Sequence, residues 1–406
     1  MSSKKDFAGI VLAAIRAAGV ADAQYQRDQF TIAVRRDSPD ESPTHIYLGN
    51  LYSECEGVEP DERDERVAAF VAAIVDVSET PDTWDEAWPL LRPLLRPDTH
   101  HLAVADTIEH VRRPAWPFVS EFVVVDLPTK MAFVTTKDLD QWGVPEAAVF
   151  DQARHNLSGS AQATAADLTA ESKRLIRLVD DGNAYWASHL FVDGWLAAIA
   201  PTDGGRPLFF VPDTTGALLV GTSPDDGPGD LAPIFELIES QYREAPRQIS
   251  PVAYTVDDTG AVVPFTVPAG HPLHAITHRS EVLLAAREYA AQAEHLEQFE
   301  FDDPIWGDDL MMPFVARYSV AEQPDGSVFS ATSWADRVDT LLPRADIVAF
   351  GSDGADGPEV FFVAWDDAAR EVDLVPDAAL LPERFRLRTW PPPEVVERLR
   401  RVAVEL

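Results

Sequence analysis

Phe122-Val-Val-Val-Asp-Leu127 and Met131-Ala-Phe-Val-Thr135 are two short runs of strand-forming residues on either side of Pro128-Thr-Lys130. β-Branched and aromatic residues bounded by turn residues predict two strands joined as a hairpin. Directly after them Asp138 begins a short turn through Trp142, and Pro145 suits the first position of a helix that runs to about Leu157. Hairpins of this kind build antiparallel sheets, and amphipathic helices must then cover the apolar face. The stretch therefore points to an α+β fold.

The flanking sequence repeats the pattern. Towards the N-terminus, Phe7, Ile10, Val11, Ala14, Ile15 and Ala18 fall at helical spacing, with Ser3 and Asp6 spaced as a capping box. Strands are predicted at Gln29–Arg35 and His45–Leu51, and a second helix carries Val67, Phe70, Val71, Ile74 and Val75. Beyond the hairpin, strands are expected near Arg174–Val179 and Ala184–Phe191, joined through Asp180-Asp-Gly-Asn183. Further strands are expected at Phe209–Val211 and Ala217–Val220, then a helix from Leu231 to Tyr242 and a hairpin turning at Asp257-Asp-Thr-Gly260. A last group has a helix with Val282, Ala286, Tyr289, Ala293 and Leu296 in phase, and strands near Phe314–Val320 and Val328–Thr332. It continues with a short helix around Asp336–Leu342, strands at Ile347–Phe350 and Val360–Trp365, and a terminal helix opening at Pro393. The reading is an α+β protein of mixed, mainly antiparallel sheets with helices packed on one face. With 406 residues it should hold two to three modules, placed at 1–112, 113–268 and 269–406.

Composition narrows the function classes. Acids outnumber bases 68 to 33, so a net charge of −35 repels phosphate backbones and anionic lipid, and neither nucleic acid nor membrane is an expected partner. No apolar window is long enough to span a bilayer. The start, Met1-Ser-Ser-Lys-Lys-Asp6, is not followed by the apolar run of a secretory leader, so a cytoplasmic location is expected. Cys55 is the single cysteine, which excludes an internal disulfide and a cysteine zinc site, and it reads as a buried, idle thiol.

The segment Asp126-Leu-Pro-Thr-Lys-Met-Ala-Phe-Val-Thr-Thr-Lys-Asp-Leu-Asp-Gln-Trp-Gly-Val-Pro-Glu146 continues to Ala-Ala-Val-Phe-Asp-Gln-Ala-Arg-His-Asn-Leu157. A strand pair, a Trp-Gly-Val turn and a helix ending in Ala-x-x-Asn-Leu resemble the YtpQ-like bacterial family of unknown function. The resemblance covers about residues 1–268. It implies the α-β-β-α opening and the central hairpins, and it carries no established active site. Residues 269–406 lie beyond it as an additional module.

Three constellations are candidates for a site. In Gly270-His-Pro-Leu-His-Ala-Ile-Thr-His278, His271, His274 and His278 are three and four residues apart, a spacing that lets a helix align imidazoles on a zinc ion. Against this, Gly270 and Pro272 suggest a loop, and Thr277 looks like the cap of the following helix. Phe299, Phe301 and Trp306, beside Asp302-Asp303 and Asp308-Asp309, are aromatic anchors for a partner protein or part of a carboxylate site. His155 and Asn156 form a possible polar site, with Asn156 also read as capping a helix or pinning a loop. There is no Gly-x-Ser-x-Gly elbow, no Gly-x-Gly-x-x-Gly and no phosphate-binding Gly-Lys-Ser/Thr loop, and no cofactor is expected. The leading reading is a non-catalytic interaction or adaptor protein with a protein partner. A metal- or carboxylate-dependent hydrolase and a structural subunit of a larger assembly are the alternatives.

Overall fold

The structure is a computed structural model. It describes residues 3–20, 22–27, 30–34, 44–75, 80–103, 109–128, 130–171, 175–179, 185–200, 205–223, 225–298, 313–354 and 357–405. The fold is α+β, with several mainly antiparallel sheets. Contacts group the chain into two compact units. One comprises Met1–Pro93, Val123–Asn156 and Glu244–Arg247; the other comprises Leu94–Phe122, Leu157–Arg243 and Gln248–Leu406. The chain thus passes between the units several times. The stretch 269–406 read from sequence falls within the second unit, whereas 1–112 and 113–268 contribute to both.

The first unit opens with the helix Lys4–Ala17, whose Ser3 side chain and Asp6 close a reciprocal capping box. Its Phe7, Ala8, Val11 and Ile15 are buried with Ala23, Ile32 and Val34 of an antiparallel sheet, Ala23–Gln26, Thr31–Val34 and Thr44–Tyr47. Cys55 joins this core, and burial raises its thiol pKa, as befits an idle side chain. The hairpin that opened the sequence reading is present, with Val124 opposite Phe133 and Asp126 opposite Met131. Residues Thr136–Trp142 form a helix rather than the expected turn. Thr135 and Asp138 make a capping box at one end, and Gly143, at φ 68°, closes the other, so seven residues are enough.

The second unit contains a five-stranded antiparallel sheet in the order Val262–Pro264, Gln248–Val256, Pro207–Asp213, Gly216–Gly221 and Leu175–Val179. Gly216 is required where a Cβ would collide with the Leu178 carbonyl oxygen. The helix Pro228–Glu244 covers this sheet through Leu231, Phe235 and Ile238. A second sheet runs Ser319–Glu322, Val328–Ala335, Ile347–Gly354, Gly357–Ala364 and Ala403–Val404, with a parallel pair between Val328–Ala335 and Ile347–Gly354. A three-stranded sheet of Phe314–Val315, Thr340–Pro343 and Arg384–Leu387 adds another parallel pair. The long helix His274–Leu296 buries Val282, Ala285, Glu288, Tyr289 and Gln292.

Arg384 fixes that helix to the strands. It is wholly buried and donates to Gln292 Oε1 at 2.6 Å, Ala316 O at 2.8 Å, Leu341 O at 3.1 Å and Tyr289 O at 3.2 Å. Its guanidinium also lies 5.2 Å from the centre of the Tyr289 ring. Burial lowers its pKa to about 10, which still leaves it charged at neutral pH. The planar fork lets one side chain reach four oxygens from three parts of the chain.

Several elements differ from the sequence reading for local reasons. The central helix runs Glu146–Glu171, well past Leu157, through an Ala-rich stretch with high helix propensity. Trp186–Phe191 is a 3-10 helix in place of the expected strand, closed by Ser188 N to Tyr185 O and Val192 N to His189 O. The expected helix at Asp336–Leu342 is replaced from Thr340 by a fully buried strand, and Arg337 at φ 62° breaks any helical path. The strand expected to reach Leu51 ends at Tyr47, and Gly49–Glu54 is helical.

Replacing Arg384 by Met keeps an apolar stem but removes a donor from four buried oxygens, of which Leu341 O keeps the Ala316 N–H. At about 1–3 kcal/mol for each buried acceptor left unpaired, Arg384→Met should lose at least about 3 kcal/mol in urea unfolding. A loss below about 1 kcal/mol would show that these oxygens do not depend on the arginine.

Candidate functional site

Within the second unit lies a cavity of about 550 Å³. Its walls come from the strand end and turn Pro114–Phe118, one face of the His274–Leu296 helix, and the segments around Ser330, Asp346 and Pro382. The helix face is set by spacing: His278, Val282, Ala285 and Tyr289 recur at four and three residues and so line one side. Volume and lining match those of small-ligand sites.

One end is a polar cluster. His278 Nε2 donates to Asp346 Oδ2 at 3.1 Å, and its Nδ1 lies 3.7 Å from Glu281 Oε2. The Ser330 N–H and hydroxyl each donate to the same Asp346 oxygen at 2.7 Å, and Asp346 N donates back to the Ser330 hydroxyl at 2.8 Å. Strand pairing explains the meeting: Ala331 stands opposite Ile347 in the parallel pair, so the residues just before them meet as well. The Asp346 and Glu281 hydrogen bonds outweigh burial and raise the His278 pKa to about 9. Burial alone would raise Asp346, but hydrogen bonds from His278 and Ser330 hold it below its usual range. Both directions describe an ionised pair at neutral pH. Burial pushes the Tyr318 hydroxyl, which bonds Ser330, above the usual tyrosine range.

Asp98 lies on another wall and is 2 % exposed. Its N–H donates to Phe118 O at 3.0 Å, and the Ser120 hydroxyl donates to one carboxyl oxygen at 2.6 Å. Burial, reinforced by the nearby Glu288 carboxyl, raises its pKa to about 7 against the opposing effects of Ser120 and Arg112. Glu288 is itself fully buried, accepts from Thr99 and is paired with Arg287. Above Asp98 the turn carries Phe118 at φ 66°, a left-handed position that a bulky residue occupies only under constraint. Its ring meets Tyr289 edge-on at 5.3 Å, and Tyr289 in turn meets Tyr318 at 5.3 Å. Trp116 is stacked on Phe191 and donates to Val262 O.

The residues singled out from sequence are distributed differently. His274 and His278 stack at 5.4 Å on the helix, but each imidazole has a separate partner. The Leu273 N–H donates to His271 Nδ1, His274 Nδ1 faces Val267 O, and His278 belongs to the Asp346 cluster. Among the described residues no group of three or more His, Cys, Asp or Glu side chains is placed to hold a metal ion. Thr277 does not cap the helix, which starts at His274; its hydroxyl donates back to Leu273 O and His274 O. Asn156 lies in mid-helix, accepts from Gln152, and donates to Trp88 O at 2.6 Å and Leu91 O at 3.0 Å, so it pins that segment. Its neighbour His155 sits in the same helix. Phe299, Phe301 and Trp306, with the acids beside them, lie outside the described residues. Asp98, Phe118, Ser330 and Asp346 were not picked out from the sequence. Nothing in the stretch Leu91-Arg-Pro-Leu-Leu-Arg-Pro97 before Asp98 marks that acid as buried.

No family model, curated protein or solved structure matches this chain. Among the described residues no helix is long and apolar enough to cross a membrane.

The two perturbed groups lose stabilisation in the same direction, as pH rises, but in different pH windows. The raised pKa of His278 means that its stabilisation is complete below about pH 6.5 and is lost as pH rises through about 9. His278→Gln should therefore be about 1–3 kcal/mol less stable than the parent at pH 6, with the difference shrinking by pH 10; a constant difference would contradict the ion pair. Asp98 also has a raised pKa, but its ionised form is the costly one. Its contribution is fully favourable below about pH 3.8 and is lost as pH rises through about 7. Measured against Asp98→Asn by urea unfolding, the parent should lose up to about 4 kcal/mol of relative stability between pH 4 and pH 8. A flat difference would contradict the burial of this acid.

Proposed function

We propose that the protein is a non-catalytic binding protein that holds a small ligand in the cavity lined by His278, Tyr289, Tyr318, Asp346, Phe118 and Asp98. The observation that carries this reading is the hydrogen-bond arrangement at Ser330. His278 and the Ser330 hydroxyl both donate to Asp346 Oδ2, so the base on the serine proton is a carboxylate held below its usual pKa range, and a weak one. With its pKa at about 9, His278 is already protonated at neutral pH and is a poor general base. The cluster is charged, saturated and rigid, which suits recognition better than turnover.

A cytoplasmic setting and a protein partner belong to the same proposal. They are supported by the net charge of −35 and by Phe299, Phe301 and Trp306 as anchors. Kinship with the YtpQ-like family over about residues 1–268 is likewise proposed, on the stretch Asp126–Leu157.

Thermal unfolding in the presence of a small-molecule extract of cells tests the reading. The parent should be stabilised by several degrees, whereas Ala285→Phe and Ala115→Trp, which narrow the cavity, should not respond. An equal response in all three proteins, or steady turnover of generic ester or phosphoester substrates lost in His278→Gln, would overturn it.

A further inference from the structure

We propose that the cavity takes a small organic cation, an ammonium group on an apolar or aromatic body, with its charge seated against Asp98 beneath the strand end and turn Pro114–Phe118. The inference rests on the reading of this cavity as a binding site and adds the chemistry of its occupant.

The charge balance of the cavity is the first argument. Its acids are Asp98, Glu281, Asp346 and Glu383; its bases are His278 and Arg344. His278 is already held by Asp346 and Glu281, and Arg344 is exposed. An anionic ligand would thus meet mainly carboxylates, whereas a cation meets an excess of them.

Asp98 supplies the second argument. The Ser120 hydroxyl is the one hydrogen-bond donor to its carboxyl among the described residues. Neither nearby cation hydrogen-bonds that carboxyl, although the Arg112 charge partly offsets its burial. Arg112 is 3.3 Å from His101 Nε2, and Arg287 donates to Glu288 and Gln248. A carboxylate this deeply buried with a single neutral donor lacks the hydrogen-bonded counter-ion that buried ions normally have. A ligand ammonium would provide it.

The aromatic lining is the third. Trp116, Phe118, Tyr289 and Tyr318 line the same space, and ring faces attract organic cations. The backbone at Phe118 adopts a conformation suited to glycine, yet the residue is a phenylalanine. Strain maintained at a cavity wall is a feature of ligand sites, and here it places an aromatic ring beside the buried acid.

The proposal also fixes a pH signature. The groups acting on Asp98 are Ser120 and Arg112 from the antiparallel strands Arg112–Trp116 and Val119–Asp126, Glu288 with Arg287 from the long helix, Tyr254 from the neighbouring sheet and His101 at its own carbonyl. With its pKa at about 7, Asp98 is mostly protonated at pH 6 and mostly ionised at pH 8. A cation needs the ionised form, so its affinity should rise about tenfold over that interval, following the ionised fraction.

Isothermal titration of the full chain with 2-phenylethylammonium, 2-phenylethanol and 3-phenylpropanoate tests this directly. The ammonium compound should bind at least tenfold more tightly than the other two at pH 7.5 and weaken about tenfold at pH 6. Asp98→Asn should remove both the preference and the pH dependence. Phe118→Leu, which keeps an apolar side chain but removes the ring, should weaken the ammonium several-fold and leave the alcohol unchanged. If the alcohol or the carboxylate binds as tightly as the ammonium, the cavity is a binding site and the cation assignment is wrong. If none of the three binds although cell extract stabilises the parent and not the narrowed variants, the cation assignment fails while the binding site stands. If the extract has no effect either, both readings fall.

Discussion

A buried arginine with no carboxylate partner among the described residues organises the second unit. The Arg384 guanidinium is bound by Gln292 Oε1 and by the carbonyls of Ala316, Leu341 and Tyr289. Removing a cation from water is costly, and only a full set of oriented acceptors offsets the cost. Those acceptors come from the long helix and from separate strand segments, so satisfying one charge dictates how these elements meet. Neighbouring bonds extend the same constraint. Gln292 donates to Pro382 O, Tyr289 donates to Glu383 O, and Arg344 N donates to the Tyr289 hydroxyl. Tyr289, Pro382, Glu383 and Arg344 are all cavity residues, so the arginine network is also the frame of the candidate site.

Within that frame, two acids experience opposite fields. Asp346 is surrounded by donors and faces an imidazolium, so its charge is stabilised in spite of burial. Asp98 has one hydroxyl donor and a second carboxyl nearby, so burial dominates and its neutral form is favoured. One cavity therefore contains a charge pair that is already complete and an acid with no hydrogen-bonded counter-ion. The first gives rigidity; the second gives the site a chemical preference. Aromatic rings of Phe118, Tyr289 and Tyr318 complete the lining of the cavity.

Local patterns made much of the fold readable in advance. The stripe Phe7, Val11 and Ile15, the Ser3–Asp6 box and the Asp257–Gly260 turn depend on residues close in sequence, and the helix, cap and hairpin formed where that chemistry lies. Failures came where burial on all sides removes the period. Trp186–Phe191 and Thr340–Pro343 show no regular apolar alternation, and their conformation is decided by tertiary neighbours. The site was far less legible. Asp98, Phe118, His278 and Asp346 come from distant parts of the chain, and no spacing rule connects them. In a chain with 68 acids, nothing marks the one that is buried with a single donor. His278 was visible only as part of a metal-like triplet with His271 and His274, whereas its actual partner, Asp346, follows from the register of a parallel strand pair. A left-handed backbone at Phe118 is likewise unforeseeable, because the residue type argues against it.

The account turns on the state of one carboxyl group, which carbon-13 NMR can follow directly. The side-chain carboxyl resonance of Asp98 should titrate with a midpoint near pH 7 in the free protein. It should shift to clearly lower pH when 2-phenylethylammonium saturates the cavity. A midpoint near the ordinary aspartate value in the free protein, or one that the ammonium compound leaves in place, would contradict the account.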